Sequence, residues 1–475
     1  MFLTEAANRG SVSTGYDIDN SCKFEADNSE VMTHTYDSAP TSQKKMTISM
    51  WYKRTEVGSN IGLIEFGNDA SGDYFQIRWG RDVYGSLETY GMRFGSTNFS
   101  VGNTYGAVRD TSAWYHIVVA IDTTQGTAAN RFKVYRNGAE LGWSTDNRAT
   151  ITQNQDLALG ENGKRVVIGE GAYKYNGYIA EVNYVDGQQL SSTDFGEYDE
   201  DSGIWIPKAY TGTYGNNGFY LDFSNVSDLG EDQSGNNHDF SLTNISAANK
   251  STDTPTNNFC TYNNNFRTAS TIAATEGQTK VTAASGSGWV SIVATFGLTS
   301  GKWYWEAASS GHYVFYGIAD VESDTIPQKT GGYFLGYGDD NSTKAIGMYG
   351  LNGQVYSDTA GHNGPGAAAN TVVQIALDMD NRCIYFGANG SYISGADPTS
   401  GASKTNASQW NANWSDTVYP ALSVSATYHT TANFGGYTTD VISSPQSDAN
   451  GYGAFEYAPP SGYYAICTKN LAEYG

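Results

Sequence analysis

Two pairs of apolar segments, each closed by an Asn-Gly dipeptide, constrain the fold of this chain more than any other feature. In the first pair, Trp114–Asp122 (WYHIVVAID) is followed by Arg131–Arg136 (RFKVYR) and then by Asn137-Gly138. Asn-Gly is the strongest short signal for a β-hairpin, because both central positions of a type I′ turn need a positive φ. Since Trp114–Asp122 is apolar on both faces, it is predicted to lie in the middle of a packed sheet.

The same arrangement returns in the second half of the chain. Val372–Asp378 (VVQIALD) is an apolar segment that ends in Asp, Arg382–Phe386 (RCIYF) follows it, and Asn389-Gly390 closes the unit. The repetition predicts two versions of one β-sandwich architecture.

Short strand patterns separated by turn residues continue along the chain. In YIAEVNYV, which starts at residue 178, strict alternation predicts one shared face for Tyr178, Ala180, Val182 and Tyr184. Only 16% of the residues are charged, whereas 55 are Gly and 35 are Tyr. This composition suits sheets joined by tight turns, so little helix is expected.

The length of 475 residues predicts more than one hydrophobic core. The fold class predicted is all-β, with two consecutive antiparallel β-sandwich domains joined by an ordered connector. The boundaries are an N-terminal arm at 1–20, a first sandwich at 21–200, the connector at 201–268 and a second sandwich at 269–475. The connector is expected to be ordered because aromatic residues recur in it.

The charge balance excludes one class of partner. With 27 Lys+Arg against 49 Asp+Glu, the formal net charge is -22. No nucleic acid is expected as a partner, since binding there depends on neutralising phosphates with cations. No membrane insertion is expected either, because no stretch approaches the ~20 apolar residues that span a bilayer. The first residues, MFLTEAANRG, lack the basic start and apolar run of a cleaved leader.

The four cysteines predict neither a disulfide framework nor a zinc site. Cys22, Cys260, Cys383 and Cys467 are spread over the chain without CxxC spacing. They are predicted to be free, buried thiols, in a chain assembled in a reducing cytoplasm.

Several longer strings resemble known phage sequences. The first sandwich resembles a laminin-G-like or concanavalin A-like jelly roll of a form common in environmental phages, through the strings WYHIVVAID, KVYRNG and YIAEVNYVDG. The connector is similar to the same group, through FGEYDEDSGIWIPK, GFYLDFSN, DQSGNNHDF and DTPTNNFCTYN. The second sandwich is similar to the SPRY sandwich, through GKWYWEA, YGIAD and VQIALDMDNRCIYFGANG, and the chain closes with YYAICTKNL.

The resemblance implies a bacteriophage virion structural protein. The function expected is that of a tail fibre or receptor-binding component, which attaches to a host surface glycan or protein without catalysis. The alternative is a capsid decoration or tail-assembly protein with purely structural contacts. In both cases the chain is expected in the virion, after assembly in the host cytoplasm. It is expected to be present in several copies or as a homo-oligomer and to contact other virion proteins.

One acidic run raises the less favoured alternative of a polysaccharide hydrolase. Glu197–Asp201 (EYDED) alternates its acids, and period-2 spacing on a strand would bring two carboxylates to about 5 Å, as in a retaining glycosidase. The run lies in a polar stretch flanked by Gly, which predicts a solvated segment instead. None of the six histidines stands near a nucleophile-elbow pattern, and His116 is predicted to be a hydrogen-bonded core residue. The chain is therefore predicted not to be an enzyme.

Aromatic residues in loops are the predicted ligand-binding residues. They are Tyr356, in a Gly-rich loop, and Trp410 and Trp414, in a Ser/Asn/Ala-rich segment. Tyr and Trp combine an apolar body that packs on sugar CH groups with a polar tip. The alternative is that these loops only pack against a neighbouring subunit of the particle.

A calcium site is one interpretation of the loop that runs from Asp228 to Asp239. Asp228, Asp232 and Asp239 supply the oxygen donors that Ca²⁺ prefers, and the resemblance to laminin-G-like domains, which often hold calcium, favours it. The other interpretation is a turn, in which each side chain bonds its own backbone. No other cofactor is expected.

Overall fold

The computed structural model describes residues 15–57, 61–68, 73–79, 90–94, 99–104, 107–157, 159–169, 174–285, 288–321, 344–356, 370–410, 412–425 and 428–475. The chain divides into two compact units, Met1–Thr256 and Asn257–Gly475. This division falls inside the segment 201–268 that was predicted to connect the sandwiches. Within the described ranges, no helix has the length and apolarity to cross a membrane.

The first unit is built from short strands, several 3-10 turns and a short α-helix, α1 (Ala128–Arg131). Its strands are β1 (Ser21–Phe24), β2 (Val31–Thr35), β3 (Lys45–Arg54), β4 (Ile61–Asn68), β5 (Asp73–Trp79), β6 (Tyr90–Phe94), β7 (Phe99–Thr104), β8 (Tyr115–Asp122), β9 (Phe132–Arg136), β10 (Ala139–Glu140), β11 (Trp143–Asp146), β12 (Arg165–Ile168), β13 (Gly177–Asp186), β14 (Gly196–Tyr198), β15 (Trp205–Pro207), β16 (Phe219–Leu221), β17 (Ser241–Thr243) and β18 (Lys250–Ser251).

These strands form two antiparallel sheets and a separate hairpin of β14 and β15. Sheet I has the order β10-β9-β8-β3-β13-β1-β18, with β16 also paired to β13. Sheet II has the order β11-β7-β6-β5-β4-β12-β2-β17. Apolar side chains from both sheets, such as Ile48 and Val119 of sheet I and Phe66 and Ile77 of sheet II, form one buried core. The central position of β8 confirms the prediction made from its apolar faces.

The predicted Asn-Gly turn joins β9 to β10. Asn137 and Gly138 have φ values of 46° and 85°, as a type I′ turn requires. Gly138 is needed for space as well, because a Cβ there would lie 2.4 Å from the ring of Trp205. The equivalent pair in the second unit, Asn389 and Gly390, has φ values of 47° and 85°.

The second unit repeats this plan and ends in a short helix, α2 (Thr468–Tyr474). Its strands are β19 (Tyr262–Arg267), β20 (Ile272–Thr275), β21 (Lys280–Ala283), β22 (Trp289–Ala294), β23 (Lys302–Ser309), β24 (Val314–Ala319), β25 (Ala345–Tyr349), β26 (Val355–Tyr356), β27 (Val373–Asp378), β28 (Cys383–Ala388), β29 (Ser391–Tyr392), β30 (Ser408–Gln409), β31 (Tyr419–Ser425), β32 (His429–Asn433) and β33 (Tyr464–Ala465).

Two sheets again enclose an apolar core. Sheet III has the order β19-β22-β31-β24-β25-β26, and sheet IV has the order β20-β21-β32-β23-β27-β28-β29, with β30 paired to β28 and β33 parallel to β23. Trp303 and Trp305 of sheet IV pack with Ile318 and Leu422 of sheet III in this core. The predicted all-β class with two antiparallel sandwiches is confirmed.

The chain after residue 201 adds three strands to the two sheets of the first unit. β16 pairs with β13, β17 pairs with β2, and β18 pairs with β1. An ordered segment is thus used to extend the sheets.

A buried ion pair fixes the end of this segment. Lys53 Nζ lies 2.7 Å from Asp253 Oδ2, and both side chains are at most 1% exposed. The indole N–H of Trp114 donates to Asp253 Oδ1 over 2.9 Å, and the hydroxyl of Ser21 donates to the Asp253 carbonyl over 2.6 Å. The string DTPTNN, which had no evident folding role in the sequence, therefore begins with a residue that joins three parts of the first unit.

The cysteine prediction is confirmed. Cys22, Cys260, Cys383 and Cys467 are all free and buried. Burial raises the pKa of the Cys383 thiol to about 11. Such a thiol is protonated at neutral pH and chemically inert.

Candidate functional site

A β-bulge in the closing strand β13 shapes the candidate site. The register of β13 against β3 shifts between Ala180 and Asn183, and Glu181 has a φ of 51°. A bulge re-aims a side chain, and a left-handed backbone at a residue other than Gly costs conformational energy. Here it directs the carboxylate of Glu181, which is 8% exposed, toward two tyrosine hydroxyls.

The bulge corrects one prediction. Tyr178, Ala180, Val182 and Tyr184 do not share a face: Val182 and Tyr184 lie in the core with Ile179, whereas Tyr178 packs against Trp114. The extra residue of the bulge exchanges the two faces of the strand for every side chain after it. A prediction that counts every second residue assumes a regular strand and therefore assigns these side chains to the wrong face.

Four half-buried tyrosines, which we call the tyrosine strip, lie next to this bulge: Tyr16, Tyr210, Tyr214 and Tyr220. The rings of Tyr210 and Tyr214 meet edge to face at 5.2 Å, and those of Tyr214 and Tyr220 are parallel at 6.2 Å. The hydroxyls of Tyr16 and Tyr220 are 3.0 Å apart. The strip is thus a continuous row of rings contributed by three separate segments.

Polar groups of β13 hold the ends of these side chains. The hydroxyls of Tyr16 and Tyr220 donate to Glu181 Oε1 over 2.9 Å and 2.6 Å. The hydroxyl of Tyr214 donates to Asn183 Oδ1 over 2.7 Å. The rings are therefore fixed before a ligand arrives, which lowers the entropy that binding must overcome.

The carboxyl group of Glu181 titrates near neutrality. Burial raises its pKa to about 7, against the lowering effect of the hydrogen bonds from Tyr220 and Tyr16, and the nearby carboxylate of Asp222 raises it further. Burial also raises the pKa of the Tyr220 hydroxyl, which stays protonated. Near pH 7 the site therefore holds a carboxyl group that can either donate or accept a hydrogen bond.

This arrangement suits a ligand that has both apolar faces and hydroxyl groups. Tyrosine rings pack on CH groups, while phenol, amide and carboxyl groups satisfy hydroxyls. Sequence analysis missed the strip because Tyr220 and Asn183 meet only through the pairing of β16 with β13. The polar face of YIAEVNYV and the string FYLDF contain the residues of the site. The sequence does not show that these two segments pair with each other.

A family comparison identifies the fold of this part of the chain. Residues 26–195 match a family model of the concanavalin A-like lectin/glucanases superfamily, Laminin_G_3. This confirms the predicted laminin-G-like, concanavalin A-like character of the first sandwich, called the laminin-G-type domain below. A comparison with curated proteins gives no match.

Three solved structures that resemble parts of the chain are distant from it in sequence. The SPRY domain of human HERC1 is 14% identical, over 36% of this chain and 96% of that one, with a TM-score of 0.27. A heptameric SAP-like pentraxin from Limulus polyphemus is 16% identical, over 38% and 81%, with a TM-score of 0.29. A putative carbohydrate binding protein from Bacteroides ovatus is 14% identical, over 48% and 59%, with a TM-score of 0.33.

The predicted ligand-binding aromatics lie in the second unit. Trp410 and Trp414 are 5% and 4% exposed, stack on each other at 5.5 Å and belong to the apolar core. A ligand could reach their rings only by displacing that packing. Tyr356 is half-buried at the end of β26, with its ring 5.5 Å from that of Phe315. Ligand binding by these three residues stays a prediction.

The three aspartates of the calcium interpretation act as turn residues. Both oxygens of Asp232 accept hydrogen bonds, from the backbone N–H groups of Tyr220, Ser234 and His238 among others. Asp228 accepts from Gly230 N–H, and Asp239 accepts from Asp232 N–H. No group of three or more His, Cys, Asp or Glu side chains suited to a metal occurs among the described residues. These aspartates do not fit a calcium site.

The acidic run lies at the exposed end of the hairpin of β14 and β15, whose strand β15 is buried. Asp199 Oδ1 accepts from the backbone N–H and the hydroxyl of Ser202, so this carboxylate stabilises the turn. Glu197 lies 3.7 Å from Lys208, and both side chains are about half exposed.

Beneath this hairpin, the laminin-G-type domain buries His116 between two indole rings. The imidazole stacks on Trp51 at 4.7 Å and on Trp205 at 6.0 Å. The indole N–H of Trp205 donates to Nδ1, so Nε2 carries the proton and donates to the hydroxyl of Ser49. The predicted hydrogen-bonded core histidine is confirmed.

This burial makes the stability of the domain sensitive to acid. Burial lowers the pKa of His116 to about 3 from 6.5. The unfolded chain therefore binds one more proton than the folded chain between pH 6.5 and pH 3, and the His116 contribution is lost as the pH falls through this range, at about 1.4 kcal/mol per pH unit. Glu181 acts in the opposite direction. Because its pKa is raised in the folded chain, its contribution to the unfolding free energy is lost as the pH rises from 4.5 to 7.

A variant isolates the His116 contribution from that of Glu181. The difference in unfolding free energy between wild type and His116→Gln is expected to shrink by about 2 kcal/mol from pH 6.5 to pH 5. Urea unfolding of both proteins at each pH measures it. A difference that is independent of pH would contradict the assignment.

Proposed function

We propose that this chain is a bacteriophage virion surface protein that binds host surface glycan through the tyrosine strip of its laminin-G-type domain, without hydrolysing it. The observation that carries the glycan-binding part is the row of four half-buried rings, three of which are held by Glu181 and Asn183. The phage part is supported by the resemblance of the strings in both sandwiches and in the segment between them.

The strip supports binding of moderate strength at each site. Rings that are already fixed lose little freedom when a sugar packs on them, but the contact area of one strip is small. A virion component present in many copies, as a tail fibre or receptor-binding protein is, raises the effective concentration of every contact after the first. Multivalent attachment to a host glycan is therefore the expected mode of action.

Two observations support binding without hydrolysis. The acidic run that would have to supply a pair of catalytic carboxylates lies at the exposed end of a hairpin, where Asp199 caps a turn. The carboxyl group of Glu181 is held through one oxygen by two tyrosine hydroxyls. No release of reducing ends is expected when the protein is incubated with host polysaccharide.

Two substitutions in the strip test the proposed binding site. Tyr214→Ala and Tyr220→Ala are each expected to weaken glycan binding about tenfold or more, since truncation of a central aromatic contact costs 1–2 kcal/mol or above. A glycan array that includes bacterial surface polysaccharides identifies the ligand, and calorimetry measures the change. The matched control is Tyr313→Ala, because this tyrosine is 44% exposed in the second unit and should have no effect.

The outcomes separate the parts of the proposal. Equal binding by wild type and both strip variants would remove the strip as the site, and no binding to any glycan would remove adhesion. Mass spectrometry of purified phage particles tests the virion assignment. Regular placement over the capsid lattice, in a density map of the particle, would favour the decoration alternative over a tail fibre.

A further inference from the structure

Two histidine rings and a tyrosine ring meet in the first unit, and none of the three belongs to the tyrosine strip. His34 lies on β2, and His238 lies in the loop before β17, which pairs with β2. The two imidazole rings are 4.8 Å apart. The ring of Tyr36 is 5.1 Å from His34 and 5.7 Å from His238.

Hydrogen bonds to backbone carbonyls define the protonated nitrogen of each imidazole. His34 Nδ1 is 3.0 Å from the carbonyl oxygen of Asp239, and His238 Nε2 is 2.9 Å from that of Asn216. A carbonyl oxygen only accepts, so these two nitrogens carry the protons. In the neutral rings the lone pairs are therefore on His34 Nε2 and His238 Nδ1. A ring N–H bonded to a carbonyl is the arrangement that orients metal-binding histidines.

Several polar atoms at this place lack partners. His34 Nε2, the Tyr36 hydroxyl and the Tyr184 hydroxyl are buried and form no hydrogen bond with any described residue. The ring of Tyr36 is 5.1 Å from that of His34 and 6.5 Å from that of Tyr184, so the three side chains are neighbours. A buried polar group without a partner is destabilising, so three of them together call for an occupant.

We propose that His34 Nε2 and His238 Nδ1 bind one divalent transition-metal ion of the kind that imidazole prefers, such as Zn²⁺ or Ni²⁺. Two imidazoles on one tetrahedral ion, at metal–nitrogen distances of about 2.0–2.1 Å, place their ring centres about 5 Å apart, close to the separation present here. Water molecules are left to complete the coordination shell. Calcium is disfavoured because it takes oxygen ligands.

The type of ligand decides between divalent ions. Imidazole nitrogens are preferred by softer divalent ions over Mg²⁺ and Ca²⁺, which take oxygen ligands.

Titration of the full chain, after removal of metal with a chelator, tests this site. Calorimetry with Zn²⁺ and with Ni²⁺ is expected to give one ion per wild-type chain, and binding at least about tenfold weaker in His34→Gln and in His238→Gln. His429→Gln, which changes a histidine of the second unit, is the matched control and should bind as wild type does. Unchanged affinity in both site variants would overturn the proposal, as would the absence of binding to the wild type.

A second measurement on the wild type removes dependence on the folding of the variants. Nuclear magnetic resonance spectra of the imidazole nitrogens are expected to show large shifts of His34 Nε2 and His238 Nδ1 when Zn²⁺ is added. Shifts confined to other histidines would refute the site. A buried water as the only occupant would leave all the imidazole resonances unchanged and would equally refute it.

Discussion

Asp253→Ala is expected to lower the unfolding free energy of the first unit by about 3–5 kcal/mol, the usual cost of removing one partner of a buried ion pair. The substitution leaves the buried ammonium group of Lys53 without this carboxylate and removes the acceptor for the Trp114 indole. Urea-dependent hydrogen exchange, measured by mass spectrometry, should place the loss in peptides of β1, β3 and β18.

Two further variants make this result specific. Glu197→Ala breaks the exposed pair with Lys208 and should change stability by less than about 0.5 kcal/mol, because exposed pairs contribute little. The double change Lys53→Met with Asp253→Leu removes both buried charges and should recover most of the loss. A loss below about 1 kcal/mol in Asp253→Ala would mean that the pair does not hold the segment in place.

Trp410→Ala is expected to lower the unfolding free energy of the second unit by about 3–5 kcal/mol, the range observed when a buried Trp or Phe is truncated. The indole is 5% exposed and stacks on that of Trp414. Because the two rings touch, the double variant should lose less than the sum of the single variants. Thermal or urea unfolding of the intact chain measures each change.

A matched surface change and a binding assay complete this test. Val441→Ala alters a residue that is 91% exposed in the same unit and should be neutral within about 0.5 kcal/mol. If Trp410→Ala instead kept its stability and lost binding to a glycan, the earlier prediction that this tryptophan binds ligand would gain support.

Features that depend on neighbouring residues in the sequence were predicted closely. The strand predicted from Trp114 begins at Tyr115, and both Asn-Gly turns have the positive φ angles that a type I′ turn needs. The reason is physical: alternation and turn chemistry act over a few residues, so the sequence displays them directly.

Features that depend on which distant segments meet were not predicted. Trp410 and Trp414 were assigned to a loop surface because no strand pattern surrounds them, yet the path of that loop buries them. The tyrosine strip depends on a bulge at Glu181 and on the pairing of β16 with β13. Partner choice between remote strands is decided by packing of the whole unit, which no local pattern encodes.

The closure of the first unit has a practical consequence for its use as a module. Ile18 and Thr256 are hydrogen-bonded to each other twice, through the Ile18 N–H and carbonyl and the Thr256 hydroxyl. The two ends of the described part of this unit therefore lie side by side, as in domains that tolerate insertion into a loop of another protein. Transplanting 15–256 as a cassette should preserve the fold, whereas cutting at residue 200 would discard three strands that extend the sheets.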